Sequence, residues 1–348
     1  PARDMTITVE AGMTVAVLAD ILKAESQQLP IDPASPDQTI SSLVAGNSSG
    51  PRRFGYGTMR DYLIGVEAVD GSGRVFHAGG RVVKNVAGYD LCRLLIGSRG
   101  SLAVISQVTL KVKPLAEHAG MAIVRCPSFS SADKILETLN LSETRPVILD
   151  VLNSSAARRS LSTFVSFEQA VRFPVTIVVG YEGSPSVVAW QLETVNDEIN
   201  DLAASVETIE GIPSFMDFCS CTCQSQRAQE TDVWMYQTEQ LPSSVISTIA
   251  ALETDECEVF GRAGNGQLFI RKPGHRPANG DPGLHRNGES QIVDRLQSML
   301  SEQQGTLSVL KSPHHRFPAA GPQAMDIIGK LKSLFDPQGV LPPFARML

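Results

Sequence analysis

Apolar and polar positions near the start of the chain alternate between two periods. Met5 to Glu10 alternates residue by residue, which predicts a half-buried strand. Val15, Leu18, Ala19 and Leu22 then recur at helical spacing behind Thr14, whose hydroxyl suits a helix N-cap. Pro30, Pro33 and Pro36 forbid regular structure and lead into a Ser/Gly-rich stretch, Ser41 to Gly50, that reads as a loop. Tyr62 to Val69 and Arg74 to His77 flank Asp70-Gly71-Ser72-Gly73 and predict a hairpin. A short apolar helix, Leu91 to Ile96, runs into a Gly97-Ser98-Arg99-Gly100 turn and an alternating strand, Ser101 to Val112. Pro114 follows and reads as a domain boundary.

Beyond it, strands at Met121–Arg125, Val147–Leu152 and Val175–Val179 interleave with helices at Ser131–Leu139 and from Pro185 to about Asn200. A helix around Ser244–Leu252 precedes a hairpin from Cys257 to Arg271. Lys272 to Gly288 is rich in Gly, Pro and charge and predicts a mobile loop. Ile292, Leu296, Met299 and Leu300 mark another helix, Thr306 to Leu310 a strand, and Met325, Ile328, Leu331 and Leu334 a last helix. This order predicts an α+β fold with an antiparallel sheet. The division expected is 1–114, 115–336, and a tail, 337–348.

A chain of 348 residues is long enough for two domains with cores of their own. A net charge of -7 and no basic run argue against nucleic acid as a partner. No apolar stretch is long enough to cross a bilayer, and no signal peptide opens the chain. Six cysteines in this length do not make a disulfide scaffold, so a cytoplasmic chain with reduced thiols is expected. Cys219, Cys221 and Cys223 alternate, unlike the C-x-x-C of metal loops. Read as a strand, they put Cys219 and Cys223 on one face, as packed thiols rather than a metal site. His314 and His315 are adjacent and diverge on an extended segment, which suits surface histidines rather than a joint ligand pair.

The nucleotide signatures G-x-G-x-x-G after a strand and G-K-[ST] are absent. The segment Gly79 to Pro114, GGRVVKNVAGYDLCRLLIGSRGSLAVISQVTLKVKP, crowds Lys84, Asn85, Asp90, Arg99 and several glycines between apolar elements. Such a stretch suits a polar ligand reached by backbone N–H groups, or else is an ordinary loop–helix–turn–strand unit. Arg52 and Arg53 could hold a phosphate or carboxylate, or form a solvated basic pair. Lys84 and Asp90 could pair with each other or meet a partner subunit.

The pattern K-N-x-x-G-Y-D-L-x-x-L-x-x-G-S-x-G-x-L-x-V-I resembles the FAD-domain core of the vanillyl-alcohol-oxidase, or p-cresol-methylhydroxylase (PCMH), flavoprotein family. An upstream block agrees: Leu29-Pro30-Ile31-Asp32-Pro33, then Thr39 to Gly50, similar to the family's T-I-G-G-x-x-A-x-N-x-x-G. Within the family, the SGPRR and KNVAGYDL stretches look most like the FAD-binding E subunit of bacterial glycolate oxidase. The resemblance implies FAD, with Pro33, Ser41, Ser42, Ala45, Asn47 and Gly50 on one side of it. Gly97, Ser98, Gly100 and Val104 line the other. Ser41-Ser42 stands where relatives have Gly-Gly, and Arg99 where many have Glu. Relatives also carry an N-terminal subdomain with a Gly-rich pyrophosphate loop. The chain opens at Pro1 directly into a strand, so weak FAD binding or none is expected of it in this form.

The resemblance further implies oxidation of a 2-hydroxy acid within a complex. Its partners would be a catalytic flavoprotein subunit and an iron–sulfur subunit, with any contact to the inner membrane made through them. The catalytic H-x-G-D-G-N-x-H segment of relatives corresponds to Arg262-Ala263-Gly264-Asn265-Gly266-Gln267-Leu268, with both histidines lost and Asp replaced by Asn265. No catalytic residue is therefore assigned. Phe335-Asp336-Pro337-Gln338-Gly339-Val340 is similar to the family's F-D-P-x-G-x tail, without its N-P-G-R continuation. Two other readings stay open: a non-catalytic assembly subunit that has lost FAD, and a stand-alone FAD-linked D-lactate-type dehydrogenase.

Overall fold

The computed structural model describes residues 4–80, 90–164, 173–253, 256–274, 282–312 and 322–343. The chain forms two compact units. The first comprises Pro1–Gly50, Tyr56–Leu115 and Pro318–Leu348; the second comprises Pro51–Gly55 and Ala116–Phe317.

The first unit is built on a four-stranded antiparallel sheet. Its strands are β1 (Thr6–Glu10), β2 (Leu63–Asp70), β3 (Val75–Gly79) and β4 (Ala103–Lys111), in the order β1-β4-β2-β3. Period-2 alternation gives it one buried face, with Val9, Val66, Ala68, Ile105, Val108 and Leu110. Helix α1 (Val15–Ala24) belongs to the same core through Val15, Leu18 and Leu22. The Thr14 hydroxyl caps α1 by accepting from the Val17 amide. Burying Leu18 and Leu22 contributes about 1.5–3 kcal/mol each.

Helix α2 (Ile40–Gly46) occupies much of the stretch expected to be a loop. Serines and glycines hide a regular signal there. Thr39 is the N-cap, and Ile40, Leu43 and Val44 fall at i, i+3 and i+4, all fully buried. Helix α3 (Leu91–Leu95) is capped by Asp90, which accepts from the Arg93 amide at 3.1 Å and pairs with the Arg93 guanidinium at 3.0 Å. Lys84, its suggested partner, lies outside the described residues.

The second unit carries an eight-stranded antiparallel sheet. Its strands are β5 (His118–Cys126), β6 (Ile148–Asn153), β7 (Val175–Gly183), β8 (Ser205–Glu210), β9 (Asp232–Glu239), β10 (Glu258–Arg262), β11 (Gln267–Pro273) and β12 (Thr306–Lys311). They lie in the order β8-β5-β7-β6-β10-β11-β9-β12. Helices α4 (Phe129–Leu141), α6 (Pro185–Ile199), α8 (Val245–Ala251) and α9 (Pro282–Glu302) share its main apolar core. Helices α5 (Ser154–Ser160) and α7 (Ile212–Ser225) also belong to the unit.

Three sequence expectations change here. The C-x-C-x-C run is part of helix α7, not a strand. Phe215, Phe218, Cys219, Thr222 and Cys223 form a buried stripe of helical period, which the three alternating cysteines concealed. Cys219 and Cys223 still share a face, one turn apart. The expected loop Lys272–Gly288 gives way to strand up to Pro273 and to helix from Pro282, the intervening 275–281 lying outside the described residues. The helix Pro322–Phe335 packs in the first unit rather than with 115–336, because Leu331 and Phe335 join that unit's core. The residues Pro51–Gly55 go the other way, since the Gly55 amide donates to Val147 O and Arg52 pairs with Glu182.

Candidate functional site

The two sequence blocks proposed for a cofactor meet in the first unit. Helix α2 ends at Asn47, which takes the left-handed conformation with φ 47°. Its last carbonyls need donors, as at any helix end. The turn 97–100 supplies them: the Gly97 amide donates to Val44 O at 3.1 Å and the Arg99 amide to Ala45 O at 2.8 Å. The amide and hydroxyl of Ser101 both donate to Ser98 O, at 3.0 and 2.7 Å. Arg99 and Gly100 between them have φ 51° and 77°, the pattern of a primed turn. For Arg99 that conformation costs about 1 kcal/mol.

The turn is open on one side. No atom lies within 4 Å of where a Cβ on Gly100 would be, and at Gly97 the nearest is the Asn47 side chain at 3.7 Å. Ser98 between them is 4% exposed, yet its hydroxyl is a buried group with no hydrogen-bond partner. Leaving such a group unpaired costs about 1–3 kcal/mol. Together these make a patch with open space beside two glycines and a buried, unpaired hydroxyl between them.

The other expected residues divide. Ala45 and Asn47 stand at the helix end that carries the turn. Val104 on β4 is 58% exposed and lies beside Val69, which pairs in turn with Val75, giving an apolar row open to solvent. Pro33 sits in irregular backbone and is half-buried, and Gly50 is buried. Ser41 and Ser42 open α2 with right-handed backbone, so serine carries no strain there. Their amides are already used: Ser41 donates to Ala11 O and Ser42 to the Thr39 hydroxyl, while Ile40 donates to Met13 O and Leu43 to Thr39 O. The first turn of α2 therefore offers no free N–H to a phosphate.

Arg52 is neither solvated nor free for a ligand. It is 5% exposed and bonds Glu182 at 3.0 Å within the second unit. His314 and His315 lie outside the described residues.

In the second unit the segment from Arg262 to Leu268 is the β10–β11 hairpin. Ala263–Asn265 makes one 3-10 turn and Gly266 is left-handed at φ 67°. Gly264 lies against the Phe54 ring and leaves no room for a Cβ. Arg262 is 1% exposed and forms an ion pair with Asp150, its cross-strand neighbour on β6. Counting on through the family's motif, its second histidine falls at Phe269. That ring stacks on Phe260 with centroids 5.4 Å apart. The Arg159 guanidinium lies over Phe260 at 5.4 Å and pairs with Glu258 at 3.0 Å. Burial pushes the Glu258 carboxyl above its usual range, against the pull of Arg159. The hairpin keeps its turn but packs both motif positions into internal pairs.

Residues 2–79 match the family model described as an FAD binding domain. A D-lactate dehydrogenase of Archaeoglobus fulgidus is 35% identical over 122 residues, 35% of this chain and 28% of that protein. The glycolate oxidase subunit GlcE of Escherichia coli is 37% identical over 113 residues, 32% of each chain. The chain thus matches about a third of the length of these two relatives. The glycolate oxidase subunit GlcD of Bacillus subtilis is 24% identical over 98% of this chain and 75% of its own length. Among solved structures, an alkyldihydroxyacetonephosphate synthase shares the fold, with TM-score 0.65 and 17% identity over 97% of this chain and 64% of that one.

The chain thus carries a match to an FAD binding domain over residues 2–79, almost all of it in the first unit, and has a second α+β unit. The relatives named above are a D-lactate dehydrogenase and two glycolate oxidase subunits, each similar to part or most of this chain. The residues at the patch fit the cofactor: a buried hydroxyl without a partner and two left-handed glycines with space beside them. Sequence reading missed Lys332, whose only signal is its i,i+4 spacing from Asp336 of the F-D-P tail. Lys332 donates to Ser101 O at 2.8 Å, directly behind the turn.

Proposed function

We propose that this chain is the FAD-holding subunit of a complex that oxidises a small 2-hydroxy acid. The substrate proton is taken by a sibling flavoprotein subunit, and the electrons pass to an iron–sulfur partner. The observation that carries this reading is the Arg262–Asp150 pair. Relatives place a histidine at that motif position, and here a buried, ion-paired guanidinium stands in its place. A guanidinium does not deprotonate near neutral pH and cannot act as a general base. Phe269, at the second position, has no proton-accepting atom.

Bound flavin supplies two-electron chemistry, with hydride acceptance and stepwise release of electrons. This chain's residues would hold it. Gly97 and Gly100 let the backbone approach it closely, the Ser98 hydroxyl gains a partner, and Val104 offers an apolar surface. The absence of a base at 262 and 269 leaves the subunit with holding and relay rather than substrate activation. Loss of a general base typically costs about two to four orders of magnitude in rate.

The test is reconstitution with FAD followed by assay of glycolate and D-lactate with an artificial electron acceptor. The protein alone should turn over neither, and adding the sibling flavoprotein and iron–sulfur subunits should restore oxidation. Robust turnover by the single chain would eliminate the accessory role in favour of a stand-alone dehydrogenase.

A further inference from the structure

The C-terminal helix of the first unit ends against the turn 97–101. The Lys332 ammonium donates to Ser101 O at 2.8 Å, to the Asp336 carboxylate, and to Leu341 O and Pro342 O, both at 3.1 Å. Asp336 is 3% exposed and accepts from the amides of Val340 and Leu341, both at 2.9 Å. The Phe335 carbonyl accepts from the Gly71 amide at 2.7 Å. A Cβ on Gly71 would come within 2.2 Å of the Asp336 carboxylate. The tail is thus seated closely on two turns of the sheet, the β2–β3 hairpin and the one that enters β4.

The turn 97–101 is held at its two ends by different elements. Helix α2 fixes Gly97 and Arg99 from one side. On the other side Ser101 is fully buried, and its carbonyl is held by Lys332. Held by α2 on one side and next to the Ser101 anchor on the other, Arg99 keeps a left-handed conformation that a non-glycine residue disfavours. Strain of this kind persists only where the surroundings over-determine it.

We propose that Lys332 is a positioning residue for the cofactor. Its charge-assisted bond to Ser101 O holds Arg99 and Gly100 in the left-handed form that opens the patch around Ser98. Asp336 aims the ammonium. The inference rests on the reading of that patch as the FAD site, and it gives the F-D-P tail a task without any contact to flavin.

The experiment compares Lys332→Met, Lys332→Arg and Asp336→Asn with the wild type. FAD dissociation constants come from quenching of flavin fluorescence. Amide exchange at Arg99 to Ser101, without FAD, reports the turn itself. Lys332→Met should weaken FAD about tenfold, the usual loss for one charge-assisted hydrogen bond. It should speed exchange at Arg99 to Ser101 while leaving α1 unchanged. Asp336→Asn should shift both readouts the same way, and Lys332→Arg should recover most of each. Unchanged exchange at the turn in Lys332→Met overturns the inference. So does a variant that melts lower while its folded fraction binds FAD as the wild type does. If the wild type takes up no FAD, the cofactor reading fails, and the exchange data still decide whether Lys332 holds the turn.

Discussion

Replacing Arg262 by Met tests whether the motif position has become structure. Arg262 and Asp150 are 1% and 2% exposed at the side chain. Attraction between two charges in contact is about 4 kcal/mol or more at an effective dielectric near 20. The desolvation of both charges offsets much of that. Arg262→Met leaves the Asp150 carboxylate buried without its cation, which costs about 3–5 kcal/mol. For a unit of this size each kcal/mol moves the melting temperature by about 2–4 °C, so the drop should be about 6–20 °C. The double variant Arg262→Met/Asp150→Leu removes both desolvation penalties and should return to within about 1 kcal/mol of wild type. Urea unfolding at neutral pH, read as a double-mutant cycle, gives the coupling directly. A cost below about 0.5 kcal/mol for Arg262→Met, the range of ordinary surface substitutions, would refute the argument. So would a double variant as unstable as the sum of the singles.

Three further outcomes follow from the first unit. Ser98→Ala removes a buried hydroxyl that has no partner, so thermal melting without FAD should hold steady or rise slightly; FAD affinity should fall by about 0.5–1.5 kcal/mol in a flavin titration. Gly100→Val puts a β-branched residue at φ 77°, which should destabilise the unit by more than about 1 kcal/mol in chemical denaturation and abolish flavin uptake. Burial works against the charge on Asp336, but the bonds from Lys332, Leu341 and Val340 outweigh it and hold the carboxyl below its ordinary value of 3.8. Its stabilisation is therefore full above about pH 4 and disappears as pH falls through the lowered pKa. Acid titration should release the tail in that range, and Asp336→Asn should flatten that part of the profile.

The elements that were legible carry their own local signal. Thr14 announced α1 because its cap and the apolar face lie within one window. The blocks around Asn47 and Gly97, set side by side by the family resemblance, meet in the structure through the Gly97 and Arg99 amides. Helix α2 was missed because Ser41, Ser42 and Gly46 dilute a stripe of only three apolar residues. Helix α7 was missed because three cysteines alternate inside a stripe of a different period. Arg52 could not be placed from sequence, since Glu182 lies 130 residues away. The same holds for Lys332 and Ser101, separated by 231 residues. Contacts at that distance leave no periodic trace.

That last separation bears on how the molecule is made. Synthesis runs from the N-terminus, and domains generally fold as they emerge. The strands of the first sheet and the Gly97–Gly100 turn leave the ribosome early, while the residues that hold Ser101 and Gly71 arrive after the whole second unit. Until then the turn has only the anchor from α2. The turn therefore reaches its final form only after Lys332 has been made. A translation product halted before Lys332 should carry a nearly complete first sheet with a loose Gly97–Ser101 turn.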